Sequence, residues 1–286
     1  MSLRGTALFL ALPLVLLGTS VPTDEEQEKA RPDVEELTKA DYQALRAGVQ
    51  SHAVLATTLA GYARQSDVDP AARYLLLRAS FRQFVNGGEI DAAERMYDGA
   101  RKRDGVAYAL SLARFSASQL NKCLSSRTPG AKEFLDRLAV DDRREKAIEN
   151  LQMQVSEVPD DAALRGRLAA AFVAQDDWES ALSEFERCGS EAAEVVRFER
   201  DYPRTGLSRK TTADVADFWW READTAAAGA SESAQAFRSR AVKWYGLAVT
   251  NGVLRGVKRQ IAEKRIESGL SASTAAGMGT KEAVHP

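Results

Sequence analysis

The sequence contains only two histidines and two cysteines in 286 residues, which limits the chemistry open to it. Nucleophile–base catalysis most often relies on a positioned histidine. His285 lies in a stretch of small residues near the C-terminus, and His52 falls on the apolar stripe of a predicted helix. The sequence has no HExxH, CxxC or aspartate-rich calcium-loop pattern. It therefore predicts no catalytic residue, no metal site and no cofactor, and a protein that is not an enzyme.

The sequence also lacks an excess of charge of either sign, because it contains 39 lysines and arginines and 41 aspartates and glutamates. This balance gives no electrostatic reason to expect nucleic acid or a membrane surface as a partner. Runs of alternating polar and apolar residues, which would indicate strands, are missing as well. Helical periodicity remains along most of the chain, and it predicts an all-α fold.

Two pairs of carboxylates, Asp160–Asp161 and Asp176–Asp177, are the remaining candidates for acid–base chemistry. Each pair stands at the start of a predicted helix. Aspartate at that position caps free backbone amides and meets the positive end of the helix dipole. We therefore interpret both pairs as helix caps.

The one long apolar run lies near the N-terminus, in residues 7–17. Arg4 precedes this run, and the small residues 18–20 follow it. These three regions are typical of a signal peptide, and the run is shorter than the roughly 20 residues that span a bilayer. We predict a signal peptide over residues 1–20 and an exported protein, periplasmic or extracellular, with no membrane span after cleavage. An uncleaved membrane anchor is the alternative.

Composition divides the rest of the chain into three parts. Residues 21–37 are charged and poor in apolar side chains, which predicts a flexible leader. Residues 269–286 are rich in serine, alanine and glycine, which predicts a disordered tail. Residues 38–268 carry helical periodicity and form the predicted helical repeat domain, in which the first long helix covers residues 39–65.

The clearest element is the stretch Asp161–Gly189, which contains two amphipathic helices joined by a tight polar turn, an αα-hairpin. The apolar stripe of its first helix comprises Leu164, Leu168, Ala169, Phe172 and Val173, and that of its second comprises Trp178, Ala181, Leu182, Phe185 and Cys188. Four of these side chains should be nearly buried: Leu168, Phe172, Trp178 and Phe185.

Three predicted hairpins share a pattern in their second helix, where an aromatic residue lies between two small residues at helical spacing. Small residues let paired helices approach closely, and the aromatic fills the groove against the next pair. The three sets are Ala93, Tyr97 and Ala100; Ala181, Phe185 and Cys188; and Ala241, Tyr245 and Ala248. The pattern resembles the tetratricopeptide repeat. We call the resemblance degenerate because the hairpins recur at irregular intervals, whereas the tetratricopeptide period is about 34 residues. The resemblance implies a stack of antiparallel helix hairpins, an α-solenoid.

Over roughly residues 38–268, the chain also resembles exported helical proteins of planctomycete-type bacteria. The segments that carry this resemblance are 69–93, 213–224, 240–249 and 258–267. No activity follows from it. The resemblance implies a helical fold and export.

We predict a non-enzymatic scaffold that binds a protein or peptide partner at the cell envelope; the sequence identifies neither the partner nor the oligomeric state. The tetratricopeptide resemblance implies that the first helix of each hairpin lines a concave groove. In the predicted helix 74–85, this register places Leu75, Arg78 and Arg82 in the groove. Two guanidinium groups four residues apart share a helix face and suit a carboxylate. The alternative is that both arginines pair with acidic side chains of a neighbouring helix.

A second functional interpretation is binding of envelope glycan by C-terminal aromatic side chains, since exposed tryptophans stack on sugars. The stacking candidates are Trp219, Trp220 and Trp244, close to Phe218 and Tyr245. Adjacent Trp219 and Trp220 point about 100° apart on a helix, so at least one of them should pack inward. Core packing and sugar stacking both remain open for this cluster.

Cys123 and Cys188 form an even pair in a chain predicted to be exported, which makes a disulfide one interpretation. A free thiol is the other, because a cysteine packs well where the repeat needs a small buried residue. The sequence leaves both open.

Overall fold

The computed structural model describes residues 20–65, 67–205, 211–227 and 231–278. Within these ranges the chain forms thirteen helices and no strand, which confirms the predicted all-α fold. The helices are α1 (Asp24–Arg46), α2 (His52–Tyr62), α3 (Pro70–Asn86), α4 (Ile90–Asp104), α5 (Val106–Arg114), α6 (Ala117–Ser125), α7 (Ala131–Glu157), α8 (Ala162–Ala174), α9 (Trp178–Phe185), α10 (Ser190–Thr205), α11 (Thr211–Ala227), α12 (Ser231–Thr250) and α13 (Gly256–Met278). The predicted signal peptide lies outside the described residues except for Ser20.

The chain divides into two compact units, Met1–Asp142 and Arg143–Pro286, and the boundary splits the predicted span 38–268 inside α7. In the first unit, α3 is the central helix, since it packs against α1, α2, α4, α5 and α6. In the second unit the main packed pairs are α8 with α9, α11 with α12, and α12 with α13. Each unit has its own apolar core.

Most of the predicted flexible leader, residues 21–37, lies instead in α1, so that prediction is wrong. A capping box starts the helix. The Thr23 hydroxyl accepts from the Glu26 backbone N–H (3.3 Å), and the Glu26 carboxylate accepts from the Thr23 N–H (2.7 Å). Further along the helix, Ala30 is buried against Leu75 of α3. A local start signal and a tertiary contact together order a segment whose composition alone predicts disorder.

The predicted long helix over residues 39–65 is also wrong, because the chain turns between α1 and α2. α1 ends at Arg46, and Gly48 then adopts a φ of 72°, a conformation that favours glycine. Ser51 caps α2 by accepting from the Val54 N–H at 3.3 Å. The break lets α1 and α2 pack against different parts of α3.

The predicted disordered tail, residues 269–286, is wrong in its first part, because α13 continues to Met278. Residues 279–286 lie outside the described ranges. Alanine has the highest intrinsic helix propensity, and the segment is alanine-rich. α13 is also anchored on α12, and its Ala262 is buried in the core of the second unit.

Local signals set both ends of α3. The Asp69 carboxylate accepts from the N–H groups of Ala71 (3.0 Å) and Ala72 (3.1 Å), and Pro70 occupies the first turn. After Asn86 the chain leaves the helix, with Gly88 at a φ of 75°. These signals fix the register of the helix that carries the predicted arginine pair.

α8 and α9 form the predicted αα-hairpin. Asp161 caps α8 by accepting from the N–H groups of Ala163 (2.9 Å) and Leu164 (3.0 Å), and Asp177 caps α9 by accepting from that of Ser180 (3.1 Å). The capping interpretation is confirmed for these two aspartates.

Four side chains of this hairpin were expected to be nearly buried. The expectation is confirmed for Leu168 and Phe185, which are each 2% exposed. Phe172 and Trp178 remain partly exposed, so the expectation is wrong for them. Both lie close to the turn that joins α8 to α9. Trp178 still makes an edge contact with Trp219, with 5.8 Å between ring centroids.

The small and aromatic positions shared by the three hairpins are buried with one exception. The buried members are Ala93, Tyr97, Ala100, Ala181, Phe185, Ala241, Tyr245 and Ala248, and the half-buried one is Cys188. Their burial agrees with the predicted role in helix packing. The stacking of the hairpins into an α-solenoid stays a prediction.

Candidate functional site

A groove of about 440 Å³ lies in the first unit, where α1 and α3 face each other. We call it the α1–α3 groove. It has four charged side chains in its lining, namely Arg31, Glu35, Arg78 and Arg82, and Phe115 also lines it. Both arginines predicted from the sequence therefore line one groove together.

The Arg78 guanidinium is held by neutral partners. Its Nη1 donates to Gln27 Oε1 of α1 at 3.0 Å. Its Cζ lies 4.0 Å from the ring centroid of Phe115 and 5.7 Å from that of Tyr74. A cation over an aromatic face is stabilised without being neutralised, so Arg78 is oriented and keeps its full charge available.

Arg82 lies one turn further along α3 and is exposed. Among the described residues, no carboxylate lies within 4.0 Å of the Arg78 or the Arg82 guanidinium. The alternative interpretation, in which both arginines pair with acidic side chains of a neighbouring helix, is therefore wrong. Arg31 differs from them, because it pairs with Glu28 of its own helix at 2.9 Å.

Leu75 lines the same groove as the two arginines, as the repeat register predicts. It is only 5% exposed, because it packs with Ala30 of α1 and with Ala71. The exposed charge of the groove lies further along α3, at Arg82.

His52 lies next to this groove and is half-buried. Its Nδ1 is 2.7 Å from Oε1 of Gln83, a buried residue that lines the groove. This contact fixes the orientation of the Gln83 amide. The imidazole therefore joins α2 to α3.

Phe115 was missed by the sequence reasoning, because helical periodicity alone marks no break at its position. The chain instead breaks between α5 and α6, and the Phe115 ring is 56% exposed at that junction. Gln27 was missed because it lies in the segment predicted to be a flexible leader.

The tryptophans predicted to stack on glycan are mostly in the core. Trp219 is fully buried and Trp244 is 6% exposed, so neither presents a ring face to a sugar, and their stacking role is wrong. Trp220 is partly exposed, with the guanidinium carbons of Arg265 and Arg238 at 5.2 and 6.0 Å from its ring centroid. The expectation that one of the two adjacent tryptophans packs inward is confirmed.

A buried charged cluster, which sequence reasoning missed, holds Trp219 in place. The Glu199 side chain is 4% exposed and accepts from the Trp219 indole N–H at 2.6 Å. Arg240 donates to the same carboxylate through Nε at 2.9 Å and through Nη2. The Arg240 guanidinium also lies 4.0 Å from the ring centroid of Trp178. Three helices (α10, α11 and α12) therefore meet at one carboxylate.

Both cysteines are free thiols, which decides against the disulfide. Burial raises the pKa of Cys188 to about 11, and the nearby carboxylates of Glu184 and Glu222 add to this effect. Its thiol therefore stays protonated and weakly nucleophilic at neutral pH.

Groups of acidic, histidine or cysteine side chains able to hold a metal ion are not found in the part of the chain that the structure describes. In the same part, no helix combines the length and apolar character needed to cross a membrane. Comparison of the chain with protein-family models, with curated proteins and with solved structures gives no match.

Proposed function

We propose that this chain is an exported, non-enzymatic helical scaffold that binds a protein or peptide partner at the cell envelope. The proposed site is the α1–α3 groove, and the proposed ligand group is a carboxylate, such as a peptide C-terminus or an acidic side chain. Arg78 and Arg82 would each bind it through their paired N–H groups.

One observation carries this proposal. Arg78 and Arg82 line the same groove, and among the described residues no carboxylate lies within 4.0 Å of either guanidinium. Glu35 also lines the groove but pairs with neither arginine. Arg78 is already oriented by Gln27 and Phe115, so a ligand has less side-chain freedom to remove on binding. The exposed Phe115 ring offers an apolar contact beside the charges, which suits a peptide with an apolar residue next to its carboxylate.

The tetratricopeptide resemblance supports the same proposal. It implies that the helix hairpins stack as a degenerate α-solenoid and that first helices line a peptide groove. The buried small and aromatic positions agree with this arrangement.

Charge reversal in the groove should abolish binding. Peptides with an apolar last residue and a free carboxylate are the test ligands, and their amidated counterparts are the matched controls. We expect the wild-type chain to bind the free-carboxylate peptides and Arg82→Glu to weaken binding about tenfold or more, because a hydrogen bond to a charged group contributes roughly 1.5–3 kcal/mol. The double variant Arg78→Glu/Arg82→Glu should abolish both peptide binding and capture of a partner from envelope extract.

The control for these variants is Arg167→Glu/Arg197→Glu, which reverses two exposed arginines of α8 and α10 in the second unit. Its binding should equal that of the wild type. Circular dichroism should show that all variants remain helical, and the melting temperature should stay nearly unchanged for Arg82→Glu and for the control. If binding survives the double reversal at Arg78 and Arg82, or if the amidated peptides bind equally well, the groove assignment is wrong.

The proposed export has its own test. Protein recovered from the producing cell's envelope should begin near Val21, because residues 1–20 have the three regions of a signal peptide. Edman sequencing and intact mass measure this directly. An N-terminus at Met1 on the recovered protein would refute cleavage and favour the anchor alternative.

A further inference from the structure

A second and larger groove, of about 830 Å³, lies in the first unit and is lined by α2, α3, α4 and the loop after α2. We call it the α2–α4 groove. Its floor is apolar and comprises Ala60, Ala63, Leu77, Phe84, Met96 and Ala100. Its charged side chains are Arg64, Arg73, Arg95 and Arg103, all of one sign. The groove therefore joins an apolar floor to a basic rim.

Two of these arginines have a structural partner and two do not. Arg73 and Arg103 both pair with Asp104, at 3.2 and 2.9 Å, and the Asp104 side chain is buried. Arg64 and Arg95 are exposed, and no carboxylate lies within 4.0 Å of either among the described residues. The rim therefore carries uncompensated positive charge on both sides, beside α2 and on α4.

Gly99 keeps the groove open on its α4 side. Arg95, Gly99 and Arg103 are spaced four residues apart, so they lie in one row along α4 that is about 12 Å long. A Cβ atom added at Gly99 would meet no atom within 4 Å. The row thus presents two guanidinium groups with an open gap between them.

We propose that the α2–α4 groove docks an amphipathic helix of a partner protein that carries acidic residues beside its apolar face. The apolar floor offers an occupant no backbone hydrogen bonds. An extended peptide would leave its own N–H and C=O groups unpaired there, whereas a helix satisfies them internally. α2 and α4 already pack on α3, and a docked helix would occupy the space between them.

Charge complementarity sets the chemistry of the partner helix. Its apolar side chains would meet Leu77, Phe84 and Met96, and its acidic side chains would meet Arg64 and Arg95 on the two sides. This site is separate from the α1–α3 groove, because its residues occupy roughly the opposite side of α3. The inference therefore does not rest on the function proposed for Arg78 and Arg82.

The test uses a fluorescein-labelled synthetic helix of about 18 residues, five turns, with leucine at i, i+3, i+4 and i+7 and glutamate at the flanking positions. Fluorescence polarisation with the full chain should show binding that weakens as salt is added. Arg64→Glu/Arg95→Glu should weaken binding about tenfold or more. Gly99→Trp should do the same, because the indole would fill the open gap.

Matched variants distinguish a loss of helix docking from a loss of folding. Gly61→Trp adds the same side chain at a helical glycine of α2 that is also open but does not line the groove, and it should bind like the wild type. Arg78→Glu/Arg82→Glu should bind the helix normally, whatever its effect on carboxylate peptides. All variants should keep the wild-type melting temperature within a few degrees.

Four results would overturn the inference. The first is that the wild-type chain does not bind the acidic helix, and the second is that it binds a lysine-flanked helix equally well. The third is that Gly99→Trp and Arg64→Glu/Arg95→Glu both leave binding unchanged. The fourth is that the chain binds laurate but does not bind the helix. The last result would assign the groove to a long-chain carboxylate instead of a protein partner.

Discussion

Replacing Phe185 with alanine is expected to destabilise the second unit by about 3–5 kcal/mol, the usual cost of removing a buried aromatic side chain. The Phe185 ring is nearly fully buried in the core of that unit. It makes edge contacts with the rings of Trp219 (5.3 Å between centroids), Phe237 (5.8 Å) and Phe218 (6.1 Å). Alanine would leave a cavity among three large rings, which are too bulky to close it by small movements.

Chemical denaturation, monitored by tryptophan emission, measures the loss of stability in the second unit. All four tryptophans lie between residues 178 and 244, so their emission reports the second unit. Met153→Ala is the control, because the Met153 side chain is mostly exposed and its loss should cost little. A loss below about 1 kcal/mol for Phe185→Ala would contradict the assignment of this residue to the core.

Arg240→Ala should have an effect of similar size for a different reason. The Glu199 carboxylate is buried, and Arg240 supplies its neutralising charge. Breaking a buried ion pair by removing one partner leaves an uncompensated charge, which costs about 3–5 kcal/mol. The variant also loses the guanidinium that lies over the Trp178 ring.

Two further variants make this second prediction specific. Arg200→Ala removes an exposed ion pair with Glu186 in the same unit and should cost at most about 1 kcal/mol. The double variant Glu199→Gln/Arg240→Met should be more stable than Arg240→Ala, because it removes the buried charge together with its partner. If Arg240→Ala costs no more than Arg200→Ala, the buried cluster does not contribute as proposed.

The parts of the fold that the sequence predicted correctly depend on local signals. The caps at Asp161 and Asp177 are formed by residues within three positions along the chain. The hairpin of α8 and α9 depends on periodicity within one short stretch. Such signals can be read without knowing what packs against them.

The parts predicted wrongly depend on contacts between distant residues. Residues 21–37 have the composition of a disordered segment, yet Ala30 is buried against Leu75 of α3. Trp219 is the inward member of the adjacent tryptophan pair, and its indole N–H donates to Glu199, a residue of another helix. Periodicity within one segment does not show which distant residue packs against it.

The candidate site was predicted in part for the same reason. The spacing of Arg78 and Arg82 on one helix face is a local property, and it was correct. Gln27 and Phe115, which orient Arg78, come from α1 and from the junction of α5 and α6. The α2–α4 groove was missed altogether, because its rim combines residues of three helices and no single stretch of sequence carries its pattern.

The central position of α3 has a thermodynamic consequence, because this one helix forms a wall of both grooves. If a ligand in the α1–α3 groove shifts α3, the α2–α4 groove changes shape with it. Linkage then requires the coupling to be reciprocal: whatever factor the first ligand imposes on the affinity for the second, the second imposes on the affinity for the first. A rigid α3 would make that factor one, and the two grooves would fill independently.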